Sequence, residues 1–266
     1  MKTVRLAESA TLAYQSIGKG MPILFIHAPG IGSINFSCQE PLSRSYHLLI
    51  PDLRGHGAST PATQPFTLAG IAADILALLD AENVEQAVIC GYSQGGSIAL
   101  ECLLSYPQRF SGAILVSGFS EVNELYLHSR FFLAEALTAM HGVKWLAHSV
   151  AHSHLADPAE QQRWIAHAKK TDGYTLHQLY IAGHHYTCTE RLATIRTPVM
   201  LVYGEEDRAM HPYAKLLQEK LPHVGLHLVP GVKHQVITQK PAAFHDLCDA
   251  FLASLPTAAP IPQLNP

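Results

Sequence analysis

Gly91-Tyr92-Ser93-Gln94-Gly95 joins two runs of different character. Ala87-Val88-Ile89-Cys90 before it is apolar and β-branched, as in a buried strand, and Gly96-Ser97-Ile98-Ala99-Leu100 after it suits a helix of small residues. This order predicts a strand, a sharp turn and a helix, with Ser93 at the apex. We expect both glycines to be required, because a side chain at either place would collide with neighbouring backbone. Such a turn exposes the Ser93 hydroxyl, as a nucleophile requires.

Strand-sized apolar runs alternate with helical patterns over most of the chain. An opening antiparallel pair at 4–8 and 11–17 is followed by further strand patterns at 22–26, 47–50, 113–116, 199–203 and 226–229. Residues 67–79 have apolar positions at helical spacing, with Thr67 as the N-cap, and residues 244–252 read as a closing helix. The alternation predicts the α/β class, with a mostly parallel central sheet and helices on both faces.

One segment departs from this alternation. Between about residues 120 and 190 no buried strand pattern occurs, and residues 125–147 and 159–180 have amphipathic helical patterns. We therefore expect a helical cap at 120–190, inserted between two sheet strands. Residues 1–119 and 191–256 would then form the core.

Composition and charge exclude several classes of protein. The chain has 266 residues, 48% of them hydrophobic and 15% charged, which suits a soluble globular protein with a large core. A formal net charge of -3 without a basic patch argues against a nucleic-acid partner. No apolar run approaches the roughly 18 residues of a membrane span, and residues 1–5 do not resemble a signal peptide, so we expect no membrane association and a cytoplasmic location. The proline- and alanine-rich residues 257–266 are expected to be a disordered tail.

The five cysteines are scattered along the chain without metal-type spacing. Their odd number and the missing signal peptide argue against a disulfide framework. We expect Cys90 and Cys102 to be small buried hydrophobic residues.

Acidic residues and a histidine follow two of the later strands. Gly204-Glu205-Glu206-Asp207 comes directly after the strand at 199–203, and Pro230-Gly231-Val232-Lys233-His234 after the strand at 226–229. Open α/β sheets gather functional groups at the carboxyl ends of their strands. A serine needs a base to remove its proton and an acid to orient that base, and the chain supplies them in the order serine, acid, histidine. Any of the three acidic residues in the first turn could be that acid.

With these motifs the sequence resembles the α/β-hydrolase fold family of serine hydrolases. The resemblance covers about residues 22–118 and 198–252, and it includes the loop His27-Ala28-Pro29-Gly30-Ile31-Gly32. It also includes Asp52-Leu53-Arg54-Gly55-His56-Gly57-Ala58-Ser59, a segment whose usual role is to tie loops together beside the site.

The resemblance implies a role for each of three residues. Ser93 is expected to be the nucleophile and His234 the general base, and the spacing from Gly204 favours Asp207 as the acid that orients the histidine. The expected activity is that of a serine esterase, which cleaves carboxylic esters of small to medium acyl substrates through an acyl-enzyme. Two alternatives use the same fold: a ligand-binding or signalling protein with slow or no hydrolysis, and a lactonase or carbon–carbon bond hydrolase.

An acyl-transfer site of this kind also needs two main-chain N–H donors for its oxyanion. One is expected from Gln94, the residue after the nucleophile. The second donor depends on which residues are aligned with the family's His-Gly pattern. If His27-Ala28 is aligned there, the donor is Pro29, which has no N–H; if Pro29-Gly30 is aligned there, the donor is Ile31. We therefore predict Ile31 as the second donor, with Ala28 as a lesser candidate.

Nine of the 17 histidines lie in the predicted cap, which raises the question of a metal site. His148 and His152 would share a helical face, but no glutamate or cysteine completes a recognisable set of zinc ligands. A glycine-rich phosphate loop is also missing. We expect no metal and no cofactor. The expected partner is a small-molecule ester, bound by a monomer or homodimer.

Overall fold

The structure is a computed structural model that describes residues 1–6 and 10–256. Its strands, in chain order, are β1 (Lys2–Arg5), β2 (Thr11–Ile17), β3 (Pro22–Ile26), β4 (His47–Pro51), β5 (Ala87–Tyr92), β6 (Phe110–Val116), β7 (Val199–Gly204) and β8 (Val224–Val229). They form one sheet in the order β1-β2-β4-β3-β5-β6-β7-β8. The pairs β1/β2 and β2/β4 are antiparallel, and every other neighbouring pair is parallel.

The parallel centre of the sheet is buried on both faces. Successive residues of a strand point to opposite faces. Leu24 and Ile26 of β3 therefore join one apolar cluster, while Ile23 and Phe25 join another on the opposite face. A continuous apolar run is what a strand covered on both sides requires.

Helices cover both faces of this sheet. In the described residues they are α1 (Leu68–Ala81), α2 (Gln94–Ser105), α3 (Leu125–Ala139), α4 (Val143–His154), α5 (Pro158–Ala168), α6 (Gly173–His184), α7 (His211–Lys220), α8 (Val236–Gln239) and α9 (Pro241–Ser254). Buried residues of α1 and α2 belong to the first apolar cluster, and those of α9 belong to the second. The predicted α/β class, with a mostly parallel sheet between helical layers, is confirmed.

Helix α1 begins at the predicted cap. The Thr67 side chain accepts a hydrogen bond from the Gly70 N–H at 3.2 Å, which satisfies one of the free donors of the first turn. Ile71, Ile75 and Leu78 on the inward face are buried against the sheet. Cap and apolar spacing were thus sufficient to locate this helix.

Between β6 and β7 the described chain is helical and adds no strand to the sheet. The sequence patterns predicted two long helices there, at 125–147 and 159–180, but the structure has four, α3 to α6. The first predicted helix breaks at His141, whose φ of 58° is left-handed and cannot continue a right-handed helix. The second is interrupted before Asp172, whose side chain starts α6 by accepting a hydrogen bond from the Thr175 N–H at 2.7 Å.

Other differences from the predicted elements lie at their ends. β1 begins at Lys2 rather than at residue 4, and residues 7–9, which include the end of the predicted strand, lie outside the described residues. The predicted disordered tail at 257–266 also lies outside them. A 3-10 helix at Ser33–Arg44 has no counterpart among the predicted elements, because Pro41 and several polar residues hide any helical period.

Within the described part of the chain, no helix combines the length and the apolar composition needed to cross a membrane. All five cysteines are free, and Cys90 and Cys102 are fully buried, as predicted. Burial raises the pKa of both thiols, which keeps them protonated and unreactive.

Candidate active site

Ser93 occupies the sharp turn between β5 and α2. Its φ of 56° is left-handed, and its N–H donates to the Val116 carbonyl at 2.8 Å, which fixes the turn to β6. A Cβ on Gly91 would overlap the carbonyl oxygen of Gly95, and a Cβ on Gly95 would overlap that of Ile26. Both glycines are therefore required for the steric reason expected from the sequence.

The turns after β7 and β8 pack against each other. A Cβ on Gly204 would overlap the carbonyl oxygen of Lys233, and the Glu206 N–H donates to the Val232 carbonyl at 3.0 Å. Because β5, β6, β7 and β8 are parallel neighbours, these turns lie at the same edge of the sheet as Ser93.

The structure brings Ser93, Asp207 and His234 together at this edge. His234 Nε2 is 3.1 Å from Ser93 Oγ, and His234 Nδ1 is 2.8 Å from Asp207 Oδ2. An ionised carboxylate only accepts hydrogen bonds, so Nδ1 carries the proton and Nε2 is free to accept from the serine hydroxyl. Asp207 is buried, whereas 28% of the His234 side chain is exposed. A substrate or a water molecule can therefore reach the histidine but not the acid.

The two acidic neighbours of Asp207 do not make this contact. Glu205 and Glu206 are exposed, and their main-chain N–H groups donate to Val229 at the end of β8 and to Val232 in the turn after it. Of the three acidic candidates, Asp207 is the one whose carboxylate contacts His234.

In the loop at 27–32, side chains engage two of the main-chain N–H groups. Ala28 N–H donates to the Asn35 side chain at 3.2 Å, and Gly30 N–H donates to His56 Nε2 at 2.9 Å. Within residues 1–6 and 10–256, neither the Ile31 N–H nor the Gln94 N–H has an acceptor. The two predicted oxyanion donors are thus available, while Ala28, the lesser candidate, is occupied.

The segment that begins at Asp52 holds loops in place. Asp52 is fully buried and accepts from the Ser33 N–H at 2.7 Å and from His167 Nε2 at 3.0 Å. These bonds outweigh the effect of burial and keep the pKa of Asp52 below its usual range. Arg54 pairs with Asp74. The contacts agree with the loop-tying role that the family resemblance implies.

A series of hydrogen-bonded polar side chains lies behind His234, and no sequence pattern predicted it. The Tyr92 hydroxyl lies 3.3 Å from both the His234 carbonyl oxygen and His154 Nε2, and His154 Nδ1 lies 3.0 Å from Thr238 Oγ1. Burial, together with the nearby His234, lowers the pKa of His154 to about 3, so this imidazole is neutral. Tyr92 could have been noticed as a member of the serine turn, but no local pattern links His154 of the inserted helices to the base.

The inserted helices carry histidines whose spacing raised the question of a metal site. His148 and His152 do share a face of α4, with their ring centroids 6.3 Å apart. Among the residues that the structure describes, no group of three or more His, Cys, Asp or Glu side chains has an arrangement suited to a metal ion.

Comparisons with known proteins agree with the fold. A sequence model of the Alpha/beta hydrolase family matches residues 23–247. The chain is 26% identical over 261 residues to a putative carbamate hydrolase RutD from Azorhizobium caulinodans, covering 92% of this chain and 96% of the relative. It is 27% identical over 126 residues to 3-oxoadipate enol-lactonase 2 from Acinetobacter baylyi, covering 46% and 47% of the two chains.

A solved structure shares the whole architecture. The esterase EaEST from Exiguobacterium antarcticum superposes with a TM-score of 0.86 over 95% of this chain and 99% of that chain, at 17% identity. At this level of identity the likeness shows the fold alone. The match to the family model spans most of the sheet and the site, which makes hydrolysis the expected class of reaction. We conclude that the chain belongs to the alpha/beta hydrolase family.

Proposed function

We propose that this protein is a serine hydrolase that cleaves carboxylic esters of small to medium acyl substrates. The observation that carries the proposal is the continuous line from Ser93 Oγ through His234 to the Asp207 carboxylate, with contacts of 3.1 and 2.8 Å. A histidine that contacts the serine hydroxyl and is oriented by a buried acid is the arrangement that activates a serine nucleophile.

In the first step, Ser93 Oγ attacks the ester carbonyl carbon while its proton passes to His234 Nε2. The imidazolium that forms is stabilised by Asp207, which stays ionised. The negative charge on the carbonyl oxygen is stabilised by the N–H groups of Gln94 and Ile31, which have no intramolecular acceptor in the described chain. The intermediate then collapses, His234 protonates the leaving alcohol, and an acyl-enzyme remains.

In the second step, water takes the place of the alcohol. His234 removes a proton from the water, the resulting nucleophile attacks the acyl carbon, and the Ser93 oxygen leaves with that proton. The partial exposure of His234 supports this step, because water must reach Nε2. We propose that the helical insertion, expected at 120–190, acts as a cap that limits the size of the acyl group.

The proposal is tested with 4-nitrophenyl esters of increasing acyl length and a fluorophosphonate probe. Wild type should hydrolyse the shorter esters and carry the probe on Ser93. Ser93→Ala should lose both properties and keep its melting temperature, because the residue lies in a turn held by main-chain bonds. Retention of wild-type turnover by Ser93→Ala would exclude the assignment.

The relatives favour a second candidate. This chain is similar to proteins named putative carbamate hydrolase and enol-lactonase. Ser93, assisted by His234 and Asp207, could attack the carbonyl of a carbamate or a lactone in the same way. The measurement that separates these candidates is kcat/KM on matched phenyl esters, phenyl carbamates and lactones. A carbamate or lactone preference of more than about tenfold, or 1.4 kcal/mol in transition-state binding, would replace the ester assignment.

A further inference from the structure

Helix α6 of the inserted segment contacts both sides of the proposed oxyanion hole. On one side the Gln94 side chain, only 2% exposed, donates from Nε2 to the Leu179 carbonyl of α6 at 2.7 Å. On the other side, a Leu176 methyl group lies 3.5 Å from the position of a Cβ on Gly30, next to Ile31. The same helix therefore touches the residue that bears one donor and the neighbour of the other.

The Gln94 side chain packs closely against α6. A Cβ on Gly183 of α6 would overlap the Gln94 carboxamide nitrogen. Gly183 is the last residue but one of α6. A glycine at this position is explained by the close approach, because a Cβ would occupy the place of the carboxamide.

The other end of α6 is anchored to the core. Asp172 N–H donates to the Gly55 carbonyl at 2.7 Å, and the Thr175 hydroxyl accepts from the Ala62 N–H at 2.9 Å. The core segment that receives these bonds also holds the 27–32 loop through His56 Nε2 and the Gly30 N–H. The position of α6 is thus defined relative to both donors.

We propose that Gln94 is a positioning residue as well as a main-chain donor, and that its carboxamide makes the geometry of the oxyanion hole depend on the position of α6. The Gln94 side chain spans the gap between the helix and the turn that carries its own N–H. A shift of α6 would then turn that N–H away from the oxyanion, so that hydrolysis requires the inserted helices to be seated on the core. This inference rests on the proposed function.

The first test replaces the carboxamide and keeps the main chain. Gln94→Met retains the length of the side chain and the N–H, but it loses the bond to Leu179. We expect kcat on a short ester to fall about tenfold, because misorienting a donor costs less than the 100-fold or more of deleting one. KM should stay within threefold, because the oxyanion forms after substrate binding. A trifluoromethyl ketone, which Ser93 converts to a tetrahedral oxyanion, should bind about tenfold more weakly.

The second test disturbs the contact between the Gln94 carboxamide and α6 by a substitution on the helix. Gly183→Ala should reproduce the loss in kcat, because its methyl group displaces the carboxamide. In a Gln94→Ala background that space is empty, so Gly183→Ala should have little further effect. Gly173→Ala is the matched control in the same helix: its nearest neighbour would be a Val143 methyl at 3.7 Å, an ordinary contact, and kcat should not change.

The outcomes separate this inference from the proposed function. Wild-type kcat and ketone binding in Gln94→Met, even with a lower melting temperature, would show that the carboxamide is structural only and overturn the positioning role. Equal losses from Gly183→Ala in the presence and absence of Gln94 would also overturn it. If wild type hydrolyses no ester and reacts with no fluorophosphonate, the proposed function fails, and the positioning role fails with it.

Discussion

The main chain of Gly204 lies directly against that of Lys233, so closely that a Cβ on Gly204 would overlap the Lys233 carbonyl oxygen. This contact joins the turn that carries Asp207 to the turn that carries His234, whose side chains are 2.8 Å apart. Gly204→Ala should force the turns apart. We expect a loss of about 100-fold in kcat/KM, since a displacement near 1 Å in a catalytic group has this effect.

The same substitution should lower the free energy of unfolding by about 1 to 3 kcal/mol, as overpacking of a close contact does. Urea denaturation measures this change. Gly225→Ala on the neighbouring strand is the control, because the nearest atom to its new methyl group would be His227 Nε2 at 3.8 Å. Equal activity of the two alanine variants would contradict the role given to the Gly204 contact.

Replacing the acid should separate Asp207 from its neighbours. Asp207→Asn keeps the shape of the side chain but no longer holds the His234 proton on Nδ1. We expect kcat to fall about 10,000-fold, the loss measured for this change in a serine protease triad. Glu205→Gln and Glu206→Gln should stay within about twofold, since exposed charges of this kind contribute little. A comparable loss in either glutamine variant would mean that the acid is misassigned.

The central site could be predicted from the sequence because its three residues each follow a strand. Ser93, Asp207 and His234 are far apart along the chain, but parallel neighbouring strands end at one edge of the sheet. Their order in the sequence was therefore enough to expect them together. The order of residues left three acidic candidates in the turn after β7, and only the spacing implied by the family resemblance favoured Asp207. The contact of its carboxylate with His234 depends on the close approach of the turns after β7 and β8.

The contacts between the inserted helices and the core could not be predicted in this way. His154 contacts Tyr92, and Leu179 contacts Gln94, only because of the path that α3 to α6 take after leaving the sheet. The breaks between these helices depend on one left-handed residue, His141, and on side-chain caps such as Asp172, which a search for apolar periodicity does not detect. Local patterns located the edge of the sheet that carries the candidate site, but not the helices that contact it.

The second oxyanion donor can be tested through its main chain. Ile31→Pro removes the N–H that has no acceptor among the described residues, and we expect kcat to fall about 100- to 1,000-fold. Ile31→Val keeps the N–H and should remain within about threefold of wild type. Circular dichroism and the melting temperature would establish that both variants fold. A folded Ile31→Pro protein with normal kcat would assign the oxyanion to another donor.

The buried imidazole of His154 should make the protein less stable in acid. Its pKa is lowered to about 3 when folded, by burial and by His234, while an unfolded histidine has a pKa near 6.5. Below pH 6.5 the unfolded chain therefore binds the extra proton, and the free energy of unfolding should fall by about 1.4 kcal/mol per pH unit for this group. Above pH 6.5 the group contributes no slope.

His154→Gln should remove this contribution. Urea denaturation at pH 7.5, 6.5 and 5.5 would show a shallower loss of stability for the variant than for wild type, even if the variant is less stable at pH 7.5 because its contacts with Tyr92 and Thr238 are altered. His148→Gln, a substitution on the exposed face of the same helix, should retain the wild-type slope. Parallel curves for wild type and His154→Gln would mean that His154 takes up its proton without unfolding, because the buried chain behind His234 accommodates the charge.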